Sequence, residues 1–341
     1  MKRILFIALI SALVTGMFTS CENGDWEFPD YEYSAVYFAY QSPVRTVVLG
    51  DDIYDTSLDN EYKVQIMATM GGVYSNNSDV SIGFNVDETL VDGMAFAGSG
   101  NDILAMPASY YSLSSDKITI KKGSVIGGVT VQLTEAFFND PLALSTNYVI
   151  PVVMNNVVNA DSILSGTPIV ADPKRGFAED WDVQPKDYIL YAVKYINKYD
   201  AVYLRRGTDV LSGSQTGTIT RKAQFVEKDE VVTSISTRSL NTIVWEHESR
   251  DENNFSRSCT LVLTFDAAGK CTITSETPGV TASGTGEFVS KGEKNSWGNK
   301  DRDALYLDYT IDYGDVQFDI SDIMVVRDRG VKAEWFTAEV K

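Results

Sequence analysis

The side chains best suited to chemistry in this chain are aromatic. Trp297 sits in Gly292-Glu-Lys-Asn-Ser-Trp-Gly-Asn-Lys300, a polar run that reads as a loop. The face of an indole ring is negative and suits the apolar, slightly positive C–H face of a pyranose. Asn295 and Asn299 flank the ring and carry amides that hydrogen-bond hydroxyls. Arg205 and Arg206 form a second candidate site. They are consecutive on a strand-like run, so they point to opposite faces. One of them faces an interior, where a charge is costly unless a carboxylate or a ligand meets it. Trp245 and Trp335 lie in the same half of the chain, and Trp245 reads as core of a strand.

Other chemistries find less support. His247 is the only histidine, in Val244-Trp-Glu-His-Glu248. One imidazole cannot build the usual zinc site. No Gly-x-Ser-x-Gly elbow offers a nucleophile for it, so a surface or strand-edge position is expected. Asp51, Asp52, Asp55 and Asp59 are close together, but they lack the spacing of a calcium loop and read as solvated. A glycosidase needs two carboxylates held at catalytic separation, and the sequence has no Asp-x-x-Asp-x-Asp-x-Glu run. The expectation is a non-catalytic protein without cofactor or metal.

The first residues carry an address. Lys2 and Arg3 precede an apolar run from Ile4 to Phe18, then Thr19, Ser20 and Cys21. That is the layout of a secretory signal, too short for a permanent span of roughly 20 residues. Its removal takes Lys2 and Arg3 and moves the formal charge from −18 to −20. So acidic a chain argues against nucleic acid as a partner and favours a neutral ligand or a protein.

Elements that would position the candidates are short strands. Val, Ile and Tyr-rich runs separated by Gly, Asn, Asp and Ser recur along the chain, the pattern of sandwiches and barrels. The expected organisation is a signal peptide over 1–20, an acidic tether over 21–34, a β-sandwich over 35–156, a linker over 157–186 and a closed antiparallel barrel over 187–341. Tyr191, Tyr195 and Tyr199 are four apart, which suggests a short helix or an irregular turn, with the tyrosines plugging the barrel end. Cys259 and Cys271 flank a turn at 266–270. Pairing Phe265 with Lys270 puts the two thiols on opposite faces and far apart, so both are expected to be reduced.

Two resemblances add context. Cys21 directly after the cleavage site resembles the lipobox of bacterial lipoproteins, and the acidic residues Glu22, Asp25, Glu27 and Asp30 resemble the surface-export signal of Bacteroidetes. Val36-Tyr-Phe38, Arg45-Thr-Val-Val-Leu-Gly50, Tyr110-Tyr-Ser-Leu113 and Tyr148-Val-Ile-Pro151 resemble an N-terminal domain of unknown function in Bacteroidetes surface lipoproteins. Lys194-Tyr-Ile-Asn-Lys-Tyr199 and Tyr203-Leu-Arg-Arg-Gly207 resemble its C-terminal companion. What the resemblance implies is an immunoglobulin-like sandwich followed by a lipocalin-like barrel. It also implies a place in a polysaccharide-utilisation locus, SusE/SusF-like in context. The implied protein is lipid-anchored at the outer membrane, faces the exterior and binds a glycan beside SusC/SusD-type partners. A structural or adhesive role and, last, a glycoside hydrolase are the alternatives. Family members carry His-Gly after Asn-Lys-Tyr, whereas this chain has Asp200-Ala201.

Overall fold

The computed structural model describes residues 32–222 and 231–341, so Cys21 and the acidic tether up to residue 31 lie outside the described residues. The chain is all-β, with a sandwich followed by a barrel. The strands used below are β1 (Ala35–Tyr37), β2 (Pro43–Val48), β3 (Lys63–Gly71), β4 (Val80–Val86), β5 (Lys117–Ile120), β6 (Ile126–Leu133), β7 (Tyr148–Val158) and β8 (Tyr188–Ile196). They run in the order β1-β3-β6-β5-β4-β7-β8-β2. β5 and β6 touch at one residue pair, Thr119 with Gly128, and there the path turns from one layer to the other. Alternate residues such as Val64, Ile66 and Ala68 of β3 and Val129 and Val131 of β6 fill one core with Ile82, Ile118 and Ile150, as period-2 patterning requires.

The segment Tyr188–Ile196 departs from expectation. It is a strand, not a helix, and it belongs to the sandwich, between β7 and β2. Tyr191 and Tyr195 enter the sandwich core, while Leu190 and Ala192 pack on the other face against Met94 and Phe96. A strand buried on both sides loses its alternation and reads as a continuous apolar run. Only Tyr199 reaches the barrel, where it stacks on Phe265 with centroids 3.6 Å apart.

The barrel consists of β9 (Val202–Gly213), β10 (Gly217–Arg221), β11 (Ile235–Ser239), β12 (Thr242–Arg250), β13 (Ser256–Phe265), β14 (Lys270–Ser275), β15 (Thr281–Ser296), β16 (Lys300–Asp312) and β17 (Val316–Asp328). The sheet runs β10-β9-β17-β16-β15-β14-β13-β12-β11. Val231 and Val232 pair with Leu204 and Tyr203 of β9, and the same segment continues into β11 on β12. This one stretch joins the two sides of the sheet at the Tyr203–Leu204 end of β9 and curls it into a barrel there.

The hairpin between β13 and β14 is one residue out of its expected register. Phe265 pairs with Cys271 rather than Lys270, because Asp266 N donates to Lys270 O and the side chain of Asp266 accepts from the amides of Ala268 and Lys270. A one-residue slip flips a side chain to the other face. Cys259 and Cys271 therefore both point into the barrel core, as free thiols six positions apart in register.

The two units meet at a polar joint. Asn197 Nδ2 donates to the carbonyls of Ser239 at 2.7 Å and Thr242 at 3.1 Å, and its Oδ1 accepts from the amides of Tyr199 and Asp200. The buried Arg329 donates to the carbonyls of Lys198, Asp200 and Asp51. Asp200 accepts from Thr237 N at 2.7 Å and Thr237 Oγ1 at 2.8 Å. Beyond the barrel the chain returns to the sandwich. Glu334–Trp335 pairs with β2, and Ala338–Val340 pairs with Met94–Phe96.

Candidate functional site

The loop around Trp297 is a tight turn. Asn295 and Asn299 have φ of +44° and +54°, a region that Asn tolerates better than most residues. Asp301 holds the turn by accepting from Asn295 N and from Lys294 Nζ, each at 3.0 Å. The guanidinium of Arg302 covers one face of the Trp297 ring at 3.9 Å, and the indole N–H is buried without a partner. The sequence candidates Trp297, Asn295 and Asn299 are thus together in space, with one ring face already occupied by a cation.

Arg205 and Arg206 diverge as the strand geometry requires. Arg206 is exposed on the outer wall, whereas Arg205 is buried in the lumen. Arg205 Nε donates to Asp322 Oδ2 at 2.9 Å, and its Nη2 donates to Tyr309 OH at 3.2 Å and approaches His247 Nε2 at 2.9 Å. The same Asp322 accepts from Tyr309 OH at 2.7 Å and from Arg221 Nη2 at 2.6 Å. Arg221 also pairs with Asp209. Trp245 lies against this cluster, with the Arg205 guanidinium 5.1 Å from its ring centre.

His247 lies on a stretch of the β12 edge that is unpaired among the described residues, one of its two expected positions, but it is not on the surface. It is 1% exposed and points into the centre of the barrel. The signal was in the strand itself. Trp245, His247 and Ser249 share one phase of β12, while Glu246, Glu248 and Arg250 take the other. A guanidinium only donates, so the nitrogen facing Arg205 must accept. That makes His247 neutral with its proton on Nδ1, facing Ser249 Oγ at 3.4 Å. Burial and then the charges of Arg205 and Arg221 push its pKa well below 6.5. Burial and the neighbouring Asp322 push Tyr309 well above 10, so its phenol stays protonated and donates.

Room for Asp322 comes from Gly207, which faces it across β9 and β17. A Cβ there would sit 2.2 Å from Ser321 O and 2.4 Å from Asp322 Oδ1. The two arginines and the two aspartates bring no net charge, and their mutual bonds satisfy most of the buried polar atoms, as burial demands.

A different arrangement lies on the sandwich. Tyr40 and Trp335 are 59% and 56% exposed, and their ring centres are 5.6 Å apart at 48°. Trp335 is held by the pairing of its strand with Pro43 of β2, and the two neighbouring rings are 295 positions apart in the chain. Only the return of the C-terminal segment to β2 brings them together, and no local sequence pattern signals it.

The Asp51–Asp59 run is not one solvated loop. Asp59 is buried and paired with Arg45, and it accepts from Val48 N at 2.8 Å. Asp55 caps Ser57, and Asp52 accepts from the amides of Ile53 and Arg329.

Comparison with known proteins follows the two units. The domain of unknown function DUF5627 matches residues 198–330, the barrel, and an N-terminal domain model matches residues 30–161, within the sandwich. None of the curated proteins matches the chain. A structural-genomics protein of unknown function from Bacteroides ovatus is 45% identical, with 91% of this chain and 100% of that chain covered and a TM-score of 0.83. The chain belongs to the family of that protein, a sandwich joined to a DUF5627 barrel. Another Bacteroides ovatus protein of unknown function is 13% identical over 89% of this chain and 100% of its own, at a TM-score of 0.37. A candidate carbohydrate binding protein from Bacteroides ovatus ATCC 8483 is 12% identical over 88% and 97%, at a TM-score of 0.28. The last two are too distant in shape to inform this chain.

Proposed function

We propose that this protein is a surface lipoprotein that binds a neutral glycan without cleaving it. In this reading Cys21 carries the lipid, the protein faces the cell exterior from the outer membrane, and a SusC/SusD-type import system receives the glycan. The SusE/SusF-like context rests on the sequence resemblance and on the family's Bacteroides member.

The observation that carries the binding reading is the Tyr40–Trp335 pair. Two neighbouring aromatic rings, each more than half exposed, stand side by side, Trp335 on a strand paired with β2 and Tyr40 in the loop just before β2. Exposed apolar groups are ordinary when scattered singly. Two rings held side by side form a platform wide enough for consecutive sugar rings, which stack through their C–H faces. The chain's acidic balance suits a neutral glycan rather than a sulfated or uronic one.

The test is a glycan array of the lipid-free chain beginning at residue 22, with Trp335→Ala and Tyr40→Ala alongside. Retention of a neutral polysaccharide that falls at least tenfold in both variants supports the platform. Retention that neither variant changes moves the site elsewhere, and no retention on any glycan refutes the reading. Release of reducing ends from a retained polysaccharide would make the protein a hydrolase instead.

A further inference from the structure

Among the described residues, the barrel wall is split beside the Arg205 cluster. Below the split, Val231–Ser239 bridges β9 to β12; above it, β10 pairs only with β9, and the β12 edge from His247 to Arg250 has no strand partner on that side among the described residues. A cavity of about 690 Å³ occupies the gap, within the range of small-molecule sites. Arg205, Asp209, Arg221 and Trp245 line its inner part, and Thr233 and Asn254 are among the residues at its mouth.

Two facts define what it can hold. Among the described residues, four cationic and four anionic side chains line it, so together they offer no net charge to an ion. At its inner end, the Asp209–Arg221 pair leaves two buried atoms without hydrogen-bond partners, Asp209 Oδ1 and Arg221 Nε. One is an acceptor only and the other a donor only. A hydroxyl both donates and accepts, so one hydroxyl or two adjacent hydroxyls answer both atoms. A carboxylate ligand would oppose Asp209, and an ammonium would oppose Arg221.

We propose that this cavity binds a small neutral polyhydroxylated molecule, of the size of a mono- or disaccharide, with its hydroxyls on Asp209 and Arg221. The site is in the barrel and does not depend on the Tyr40–Trp335 platform of the sandwich.

Calorimetric titration of the lipid-free chain tests it. The probes are neutral mono- and disaccharides, with glucuronate and glucosamine as charged counterparts. Thr233→Trp adds an indole at an exposed position of the mouth, and Ile219→Trp adds one at the half-buried position of β10 that shares the inward phase of Arg221, so that one remains informative if the other misfolds. The expected result is binding of at least one neutral sugar, at least tenfold weaker binding of its charged counterparts, and at least tenfold weaker binding in a cavity variant whose thermal midpoint is unchanged. Trp335→Ala should leave this binding intact, so the two sites fail independently. Absence of neutral-sugar binding at millimolar concentration, equal or tighter binding of glucuronate or glucosamine, or full affinity in a folded cavity variant would overturn the proposal.

Discussion

His247 makes a sharp prediction about acid stability, because it is the only histidine in the chain. Its folded pKa is depressed by burial and by two arginines, so the folded barrel keeps the ring neutral while the unfolded chain protonates near pH 6.5. Above that value neither state holds the proton and the group contributes nothing. Below it only the unfolded state gains, so stability falls as pH falls. From about pH 7.5 to about pH 5, with the folded ring neutral throughout, the loss is about 2 kcal/mol, at roughly 1.4 kcal/mol per pH unit below the unfolded pKa. Buried Asp59 and Asp200 act in the opposite sense over part of this range, since burial raises their folded pKa values. Comparison with His247→Gln removes their effect, because both proteins contain them. Glutamine also offers Arg205 an acceptor. The assay is urea unfolding at the two pH values, followed by tryptophan emission, which includes that of Trp245 beside the imidazole at 4.6 Å between ring centres. The wild type should lose about 2 kcal/mol more than the variant. Equal losses, or an imidazole that titrates near pH 6.5 in the folded protein by NMR, would refute the assigned tautomer and the contact with Arg205.

Other substitutions test the same network. Asp322→Ala leaves Arg205 and Arg221 buried without their shared carboxylate, and urea titration should show a loss of about 3–5 kcal/mol. Gly207→Ala puts a methyl against Ser321 O and Asp322 Oδ1. It should cost about 1–3 kcal/mol by overpacking, and a thermal midpoint within a degree of wild type would contradict that geometry. Burial pushes the Cys271 thiol up to about 12 and raises Cys259 as well. Iodoacetamide should therefore modify neither in the folded protein and both in urea, with mass spectrometry as the readout.

Much of the architecture was legible from patterning. Alternation such as that of Val129–Leu133 marks half-buried strands, and Gly, Asn and Asp clusters mark the turns between them. What failed, failed where the period-2 signal is lost or ambiguous. β8 is apolar on both faces, so its tyrosines at 191 and 195 mimic a helical stripe. The β13–β14 turn could close on Lys270 or on Cys271, and only the Asp266 side-chain bonds to Ala268 N and Lys270 N select the latter. The site shows the same limit. Arg205 was readable as an inward charge needing a partner. Asp322 was readable too, since it shares a phase with Phe318, Ile320 and Met324 of β17. That these two meet across 117 residues follows from strand order, which no local pattern encodes. The same holds for Tyr40 and Trp335.

The lumen network also bears on what the barrel is for. Buried ion pairs seldom stabilise a fold more than apolar side chains of equal volume would. The end of this barrel that carries the stacked Tyr199 and Phe265, with Phe288 against them, is apolar. An all-apolar lumen was therefore open to this fold, and Arg205, Asp209, Arg221, His247, Tyr309 and Asp322 are not needed to close it. Their cost is offset only partly by the bonds among them, since Asp209 Oδ1 and Arg221 Nε stay unpaired. What the network does provide is position. Asp322 bonds to both arginines, and Asp209 to Arg221, from three different strands. These contacts fix the charged groups at the inner end of a cavity whose wall, among the described residues, is open. Fixed polar groups with unmet hydrogen-bonding capacity beside an accessible void are the elements of a preorganised binding site. The physical case for a ligand in the barrel therefore rests on the polar groups that patterning alone would have replaced with leucine.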